Sequence, residues 1–269
     1  MIRITGKEVR ERRIPLLLKE REGRDLSFYL FSNPKDKSSF YYLKGVKKVL
    51  DLFAIPYEED FLDEKDIPSS LERFQRKARE KDTILARPLH IPQENLFLDS
   101  ISPLHDPDMT RRENVGRLFL GNLDFLPATA KSVRWLLEDY RISLSGKKVL
   151  IVGRSRTIGL PLYALASHLD AFVQVAHSKV PLSEIRKAAN ESDVVFLASG
   201  KRLLSKEDFS PESIVIDCGY HEDGKGDLGF VPEEGDLQAY TPVPGGVGVL
   251  TSYCLIENSI VLDKIRRQD

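Results

Sequence analysis

The chain has 269 residues, with 40 Lys and Arg against 41 Asp and Glu, so a formal net charge of -1 offers no global field for a polyanion and no nucleic-acid role is expected. That length admits two modest domains or one large one, either able to bury a core. The two cysteines, Cys218 and Cys254, form no CxxC pair, which argues against a disulfide scaffold and a thiolate zinc site and fits a reducing compartment.

The N-terminal MIRITGKEVRERRIP carries charges throughout and has no apolar run of signal-peptide length, and nothing later approaches the roughly 20 apolar residues of a membrane span. A soluble, cytoplasmic protein is the expectation. Residues 37–54, KSSFYYLKGVKKVLDLFA, predict a helix entered through Ser38 or Ser39, with Tyr42, Val46, Val49, Leu50 and Phe53 on one apolar face. TILARPLHIP at 83–92 reads as a buried strand running into a proline-rich loop. HDPDMTRREN at 105–114 reads as a long polar loop of the kind that carries function. Residues 130–141 predict a helix leading into the second half.

There the pattern changes to continuous apolar runs, VLIV at 149–152, FVQVA at 172–176, DVVFLAS at 193–199 and SIVIDCG at 213–219, the mark of parallel strands buried on both faces. Helical spacing over Pro161–His168 and Leu182–Ala189 completes a βαβαβ unit. Residues 251–269 predict an amphipathic helix.

Three features of this half bear on chemistry. The first strand runs into Gly153-Arg154-Ser155-Arg156-Thr157-Ile158-Gly159 and then a helix, so amide groups and a helix N-terminus converge where a pyrophosphate would sit. Gly153 permits the tight turn and Gly159 close packing of helix on strand. Ser155 stands where a dinucleotide fingerprint has its second glycine, and the spacing is one residue longer. At the tip of the next strand, where an NAD enzyme places an acid on the ribose, the chain has His177-Ser178-Lys179. With no carboxylate there to repel a 2′-phosphate, and with Arg154 available, the charge pattern favours NADP, although each residue singly is also an ordinary surface residue. Finally, YTPVPGGVGVLT sets Pro242 and Pro244 before and beside Gly245-Gly246-Val247-Gly248. That is a stiff lead into a side-chain-free backbone suited to a flat ring, and equally a plain loop before a helix. The five histidines show no ligand spacing, so no metal is expected.

These motifs resemble the bifunctional methylenetetrahydrofolate dehydrogenase/cyclohydrolases. VGRSRTIGLPL is similar to that family's VGRSxxVGxPL, AHSKV to its CHSxT, SIVIDCGYHEDGKGDLGFV to its VIDVGIN…GKxxGDV, and YTPVPGGVGVLT to its ITPVPGGVGPMT. Together they cover most of residues 147–260, and weaker similarity reaches forward to GRL at 116–118, PAT at 127–129 and HDPD at 105–108. The resemblance implies an α/β fold of two domains: a folate-binding catalytic domain of residues 1–140 plus 249–269, and a Rossmann-type NADP-binding domain with a parallel sheet over 141–248. The C-terminal helix would pack back on the first domain. It also implies a homodimer, and NADP-dependent removal of hydride from methylenetetrahydrofolate bound in a cleft between the domains.

Substrate contacts would fall on Ser39, Tyr42, Asp108, Pro244, Gly245 and Gly246. Asp108 matches the family aspartate that holds the pterin, and a carboxylate can accept two hydrogen bonds from a 2-amino-pyrimidinone edge. Cofactor contacts would fall on Gly153, Arg154, Ser155, Gly159, His177, Ser178, Lys179, Gly200, Gly219 and Tyr220.

The chain departs from the family at the second chemical step. The lysine of the family's Tyr-x-x-x-Lys, central to water addition at the methenyl carbon, becomes Val46 counted from Tyr42, and its partner glutamine becomes Ala86. A valine exchanges no proton, and general acid–base help is worth roughly 10²–10⁴-fold. Hydrolysis is therefore expected to be weak or lost unless Lys44 or Lys47 acts catalytically from a shifted register, and a regular helix turns these about 160° and about 100° away from position 46. Val249, Met109 and Tyr220 depart further, from a proline, a glycine and an isoleucine. Two alternatives are another substrate on the same NADP scaffold and a non-catalytic binding protein; TPVPGGVG and the preserved cofactor turn speak against them.

Overall fold

The computed structural model describes residues 1–268. In chain order the elements are β1 (Ile2–Arg3), α1 (Gly6–Arg21), β2 (Phe28–Ser32), α2 (Lys37–Leu52), β3 (Tyr57–Phe61), α3 (Ile67–Lys77), β4 (Asp82–Leu85), α4 (Glu94–Leu98), α5 (Arg112–Phe119) and α6 (Ala128–Asp139). They continue with β5 (Lys148–Val152), α7 (Gly159–His168), β6 (Phe172–Ala176), α8 (Leu182–Asn190), β7 (Val194–Leu197), β8 (Ile214–Asp217), β9 (Ala239–Tyr240) and α9 (Thr251–Arg266). The chain divides into two compact units: Met1–Arg13 with Leu118–Thr251, and Ile14–Arg117 with Ser252 onward.

The first unit is built on a six-stranded sheet in the order β1-β9-β8-β7-β5-β6, every pairing parallel. From β5 the chain goes outward to β6, then returns across to β7 on the other side of β5. That reversal leaves a crevice beyond the carboxyl ends of β5 and β7, the switch point at which ligands bind in such sheets. The continuous apolar runs of β5 and β7 lie buried, as expected of strands covered on both faces. β6 does not follow: it is the sheet edge, its first four residues alternate between exposed and half-buried with Ala176 alone buried, and Phe172 is 61% exposed. Its apolar composition therefore marks a margin, not a centre. The sequence reading groups the first residues with the catalytic domain, yet Ile2 and Arg3 pair with Ala239 and Tyr240 in this sheet.

The second unit holds a three-stranded parallel sheet, β3-β2-β4. Central β2, FYLFS, is buried along its whole length, and Phe31 packs against Phe74 and Phe97 with ring centroids 5.0 and 5.3 Å apart. The expected helix over 37–54 is present as α2, but its cap is Asp36, whose carboxylate accepts from the Ser39 amide, and not Ser38 or Ser39. The polar segment 105–114 is shorter as a loop than expected, since Arg112 already begins α5, and it turns inward: Asp106, Met109 and Asn114 are fully buried.

The C-terminal helix returns to this unit, where Lys264 pairs with Glu20 of α1 at 2.8 Å and Asp263 with Arg24 at 2.6 Å. It is more enclosed than an amphipathic surface helix. Asn258 donates to the Pro107 carbonyl at 2.7 Å, and Arg266 and Ser259 both bond the buried Asp82. No helix among the described residues is long and apolar enough to cross a membrane.

Candidate active site

In the first unit the turn after β5 is fixed by steric necessity. Gly153 has φ +125°, and a Cβ on it would lie 2.2 Å from the Ala198 carbonyl oxygen at the exit of β7. A Cβ on Gly159 would lie 2.2 Å from the Gly153 carbonyl, so the first turn of α7 rests directly on the strand exit. Ser155 explains the longer spacing. Its hydroxyl accepts from the amides of Ile158 and Gly159 at 3.1 and 3.3 Å, closing the loop onto the helix start. Arg154, Ser155 and Arg156 face solvent.

The Gly153 amide donates to Ala176 at 2.9 Å, which ties this turn to the tip of β6. There His177 accepts from the Lys179 amide at 3.2 Å, so the side chains of Ser178 and Lys179 are carried outward on a local turn. Gly200, φ +68°, follows β7 with open space where a side chain would be, leaving the backbone approachable at the crevice. These features fit the phosphate-bearing part of a dinucleotide.

Two buried aspartates, absent from the residues singled out in sequence, hold the remaining loops. Asp227 accepts from the Ser199 amide at 2.8 Å, the Gly200 amide at 2.9 Å and the Ser199 hydroxyl at 3.0 Å, and its other oxygen lies 2.9 Å from Nε2 of His221. Asp217 accepts from the amides of Gly219, Asp227 and Leu228 at 2.8, 3.1 and 2.8 Å. Burial pushes its carboxyl upward, against those three bonds. Gly219 is required here, because a Cβ would meet Asp227 at 2.1 Å. The next residue, Tyr220, is 74% exposed and held by nothing comparable. The GKxxGDV-like stretch was the available signal for Asp227.

The TPVPGG segment belongs to the same unit. Gly6, opening α1, donates its amide to Gly245 at 2.8 Å, and a Cβ on Gly6 would lie 2.3 Å from the Gly246 carbonyl. Gly245 has φ +113°, while Pro244 is exposed and Gly246 buried. A cavity of about 550 Å³ lined by Asp217, Lys225, Phe230, Tyr240, Thr241 and Pro244 opens beside this loop, and neither the Gly153 turn nor the His177 tip lines it.

In the second unit, α2 carries Ser39 and Tyr42 one turn apart. Ser39 is buried, and its hydroxyl has no hydrogen-bond partner. The Tyr42 hydroxyl is driven well above its usual pKa, first by burial and then by the Asp108 carboxylate, while the Arg87 guanidinium acts the other way. Asp108 of the 105–114 segment and Arg87, just beyond β4, thus both act electrostatically on Tyr42 of α2. Val46, one turn beyond Tyr42, and Ala86 are both 1% exposed and lie in the apolar core.

The two lysines proposed as substitutes are placed elsewhere. Lys44 is exposed, and the Lys47 ammonium is held 3.0 Å from both oxygens of Glu59 on β3. Asp106, beside Asp108, is a structural acid: it accepts from Thr110, the Arg111 amide and Asn114 at 3.1, 2.7 and 3.0 Å, and burial pushes it up to about 6. His105 sits 3.2 Å from Asp82 and Arg266, in the clamp on α9. Among the described residues no cluster of His, Cys, Asp and Glu is arranged to hold a metal.

Residues 127–267 match the family described as tetrahydrofolate dehydrogenase/cyclohydrolase, NAD(P)-binding domain. Over an alignment of 278 positions the chain is 34% identical to a protein of Bdellovibrio bacteriovorus named bifunctional protein FolD, covering 98% of this chain and 96% of that one. A crystal structure of the bifunctional FolD methylenetetrahydrofolate dehydrogenase/cyclohydrolase from Campylobacter jejuni shares the fold with a TM-score of 0.88 at 29% identity, covering 98% of each chain. The Trypanosoma brucei methylenetetrahydrofolate dehydrogenase-cyclohydrolase, solved with NADP and an inhibitor, gives 0.86 at 28% identity and covers 100% of this chain and 99% of its own.

Proposed function

The chain belongs to the tetrahydrofolate dehydrogenase/cyclohydrolase family, and on that premise we propose that it oxidises methylenetetrahydrofolate to methenyltetrahydrofolate with NADP, while the hydrolytic step that follows is strongly impaired. NADP, when bound, supplies the hydride acceptor. The chain's own work is positioning, which is what a direct hydride transfer chiefly requires. Asp108 accepts hydrogen bonds from the pyrimidinone edge of the folate, with Ser39 and Tyr42 beside it on α2. Pro244, Gly245 and Gly246 offer a substrate-facing backbone without bulky side chains.

On the nucleotide side, Gly153, Ser155 and Gly159 shape the phosphate turn, while Gly200, Gly219 and Tyr220 border the cofactor. Arg154, His177, Ser178 and Lys179 take the 2′-phosphate: cations and a hydroxyl stand where an NAD enzyme carries an acid. A homodimer in the cytoplasm completes the proposal.

The observation that carries the hydrolytic part is Val46, buried one helical turn from Tyr42. An apolar side chain there neither gives nor takes a proton, Ala86 adds no polar group, and Lys47 is committed to Glu59. The cofactor part is tested by thermal unfolding with NADP and with NAD, alongside NADPH formation from methylenetetrahydrofolate. NADP is expected to raise the melting temperature well above the value with equimolar NAD. Equal shifts would overturn the 2′-phosphate assignment, and no NADPH would overturn the dehydrogenase.

A further inference from the structure

Arg87 lies two residues beyond the last residue of β4, Leu85. The preceding residue, Ala86, still pairs with central β2 through a 2.8 Å bond to Phe31. The loop beyond is pinned twice, by Glu94 accepting the Leu89 amide at 2.6 Å and by His90 lying 3.3 Å from Asp36, the cap of α2. The start of the loop is thereby held in register with the helix that carries Ser39 and Tyr42. The Arg87 side chain is 26% exposed, and its nearest carboxylate, Glu94, is 4.0 Å away, too far for a hydrogen bond. A largely enclosed guanidinium thus has no carboxylate within hydrogen-bond distance, and together with the Asp108 carboxylate it acts electrostatically on the Tyr42 hydroxyl, one helical turn from Ser39.

Resting on the folate reading above, we propose that Arg87 recognises the substrate ring, donating to the 4-oxo oxygen next to the pyrimidinone edge that Asp108 reads. A reduced pterin presents two donors, the 2-amino group and the ring N–H, and then one acceptor, the 4-oxo oxygen. A carboxylate beside a guanidinium is the complementary order. A guanidinium offers donors and no acceptor, so Arg87 cannot replace the proton relay of the family lysine. It restores a cation to the site without restoring acid–base chemistry, and converts that charge to recognition.

The discriminating probe is the ring substituent at position 4. Titration calorimetry on the full chain compares tetrahydrofolate with its 4-amino counterpart, which presents a donor where the oxygen was. The wild type is expected to favour the 4-oxo compound by about 10–100-fold, the worth of one charge-assisted hydrogen bond. Because the 4-amino compound also lacks the ring N–H that Asp108 reads, part of the preference is independent of Arg87; Arg87→Met should cut the ratio about tenfold, with melting temperature and NADP affinity unchanged, and Arg87→Lys should lose less. Arg87→Gln repeats the test if the Met variant does not fold. An unchanged ratio in Arg87→Met, or a wild type that oxidises methylenetetrahydrofolate without a 4-oxo preference, overturns the Arg87 assignment alone. A wild type that binds neither compound overturns the folate reading and this assignment with it.

Discussion

The two units build their sites from different materials. Around the Gly153 turn, the proposed site is built from main chain: amides, glycines whose Cβ would strike a carbonyl at 2.2 Å, and buried aspartates that tie loop amides together. Around Tyr42, the proposed site is built from side chains that come from a helix, a strand exit and a loop far apart in sequence. Backbone sites tolerate almost no change at their glycines, whereas a side-chain site can lose a group and keep its shape. That is how Val46 and Ala86 can replace polar residues while the core around them stays packed.

On this contrast, the largest effect of a single small substitution should fall in the backbone site. Gly153→Ala combines a positive φ with a clash against Ala198, and should cost at least about 3 kcal/mol of stability and abolish NADPH formation; calorimetric unfolding with retained activity would break the comparison. Next comes Asp227→Ala, which strands the Ser199 and Gly200 amides. We expect the KM for NADP to rise about 10–100-fold with the folate KM unmoved, and a change in both would show that the loop serves more than the dinucleotide.

Asp106 probes the other unit through pH. Burial holds its folded-state pKa at about 6, above the unfolded carboxyl. Its contribution to stability is therefore complete below about pH 4 and lost as the pH climbs through about 6. Denaturant unfolding should show the wild type losing about 2 kcal/mol relative to Asp106→Asn across that window, and a constant gap would contradict the assignment. The smallest effect belongs to exposed cations. Replacing Arg154 and Lys179 by Ala together should cut the preference for NADP over NAD about tenfold, and steady-state kinetics with both dinucleotides checks it.

The same contrast explains what was legible in sequence. The Gly153 turn, the strands β5, β7 and β8 and the TPVPGG loop all announce themselves, because strained backbone demands glycine and proline at fixed spacing. The C-terminal helix was visible, but its enclosure was not. Neither was α1, since GKEVRERRIPLLLKER has no clean apolar stripe and carries Pro15. β6 looked central because composition does not reveal a sheet edge, and Asp36 was overlooked as a cap in favour of the serines behind it. Arg87 had no local signal at all: its electrostatic effect on Tyr42, alongside that of Asp108, arises only on folding. The Lys47–Glu59 pair was hidden for the same reason, as helical angles alone cannot say which strand supplies a carboxylate.

Purified protein mixed with methenyltetrahydrofolate, without dinucleotide, tests the central claim most directly when the loss of its absorbance is followed in parallel with NADPH formation from methylenetetrahydrofolate. Hydrolysis slower than the dehydrogenase step by about 10²-fold or more is the predicted result. Comparable rates for the two steps would contradict it, and would mean that a proton donor elsewhere in the chain serves the methenyl carbon although positions 46 and 86 are apolar.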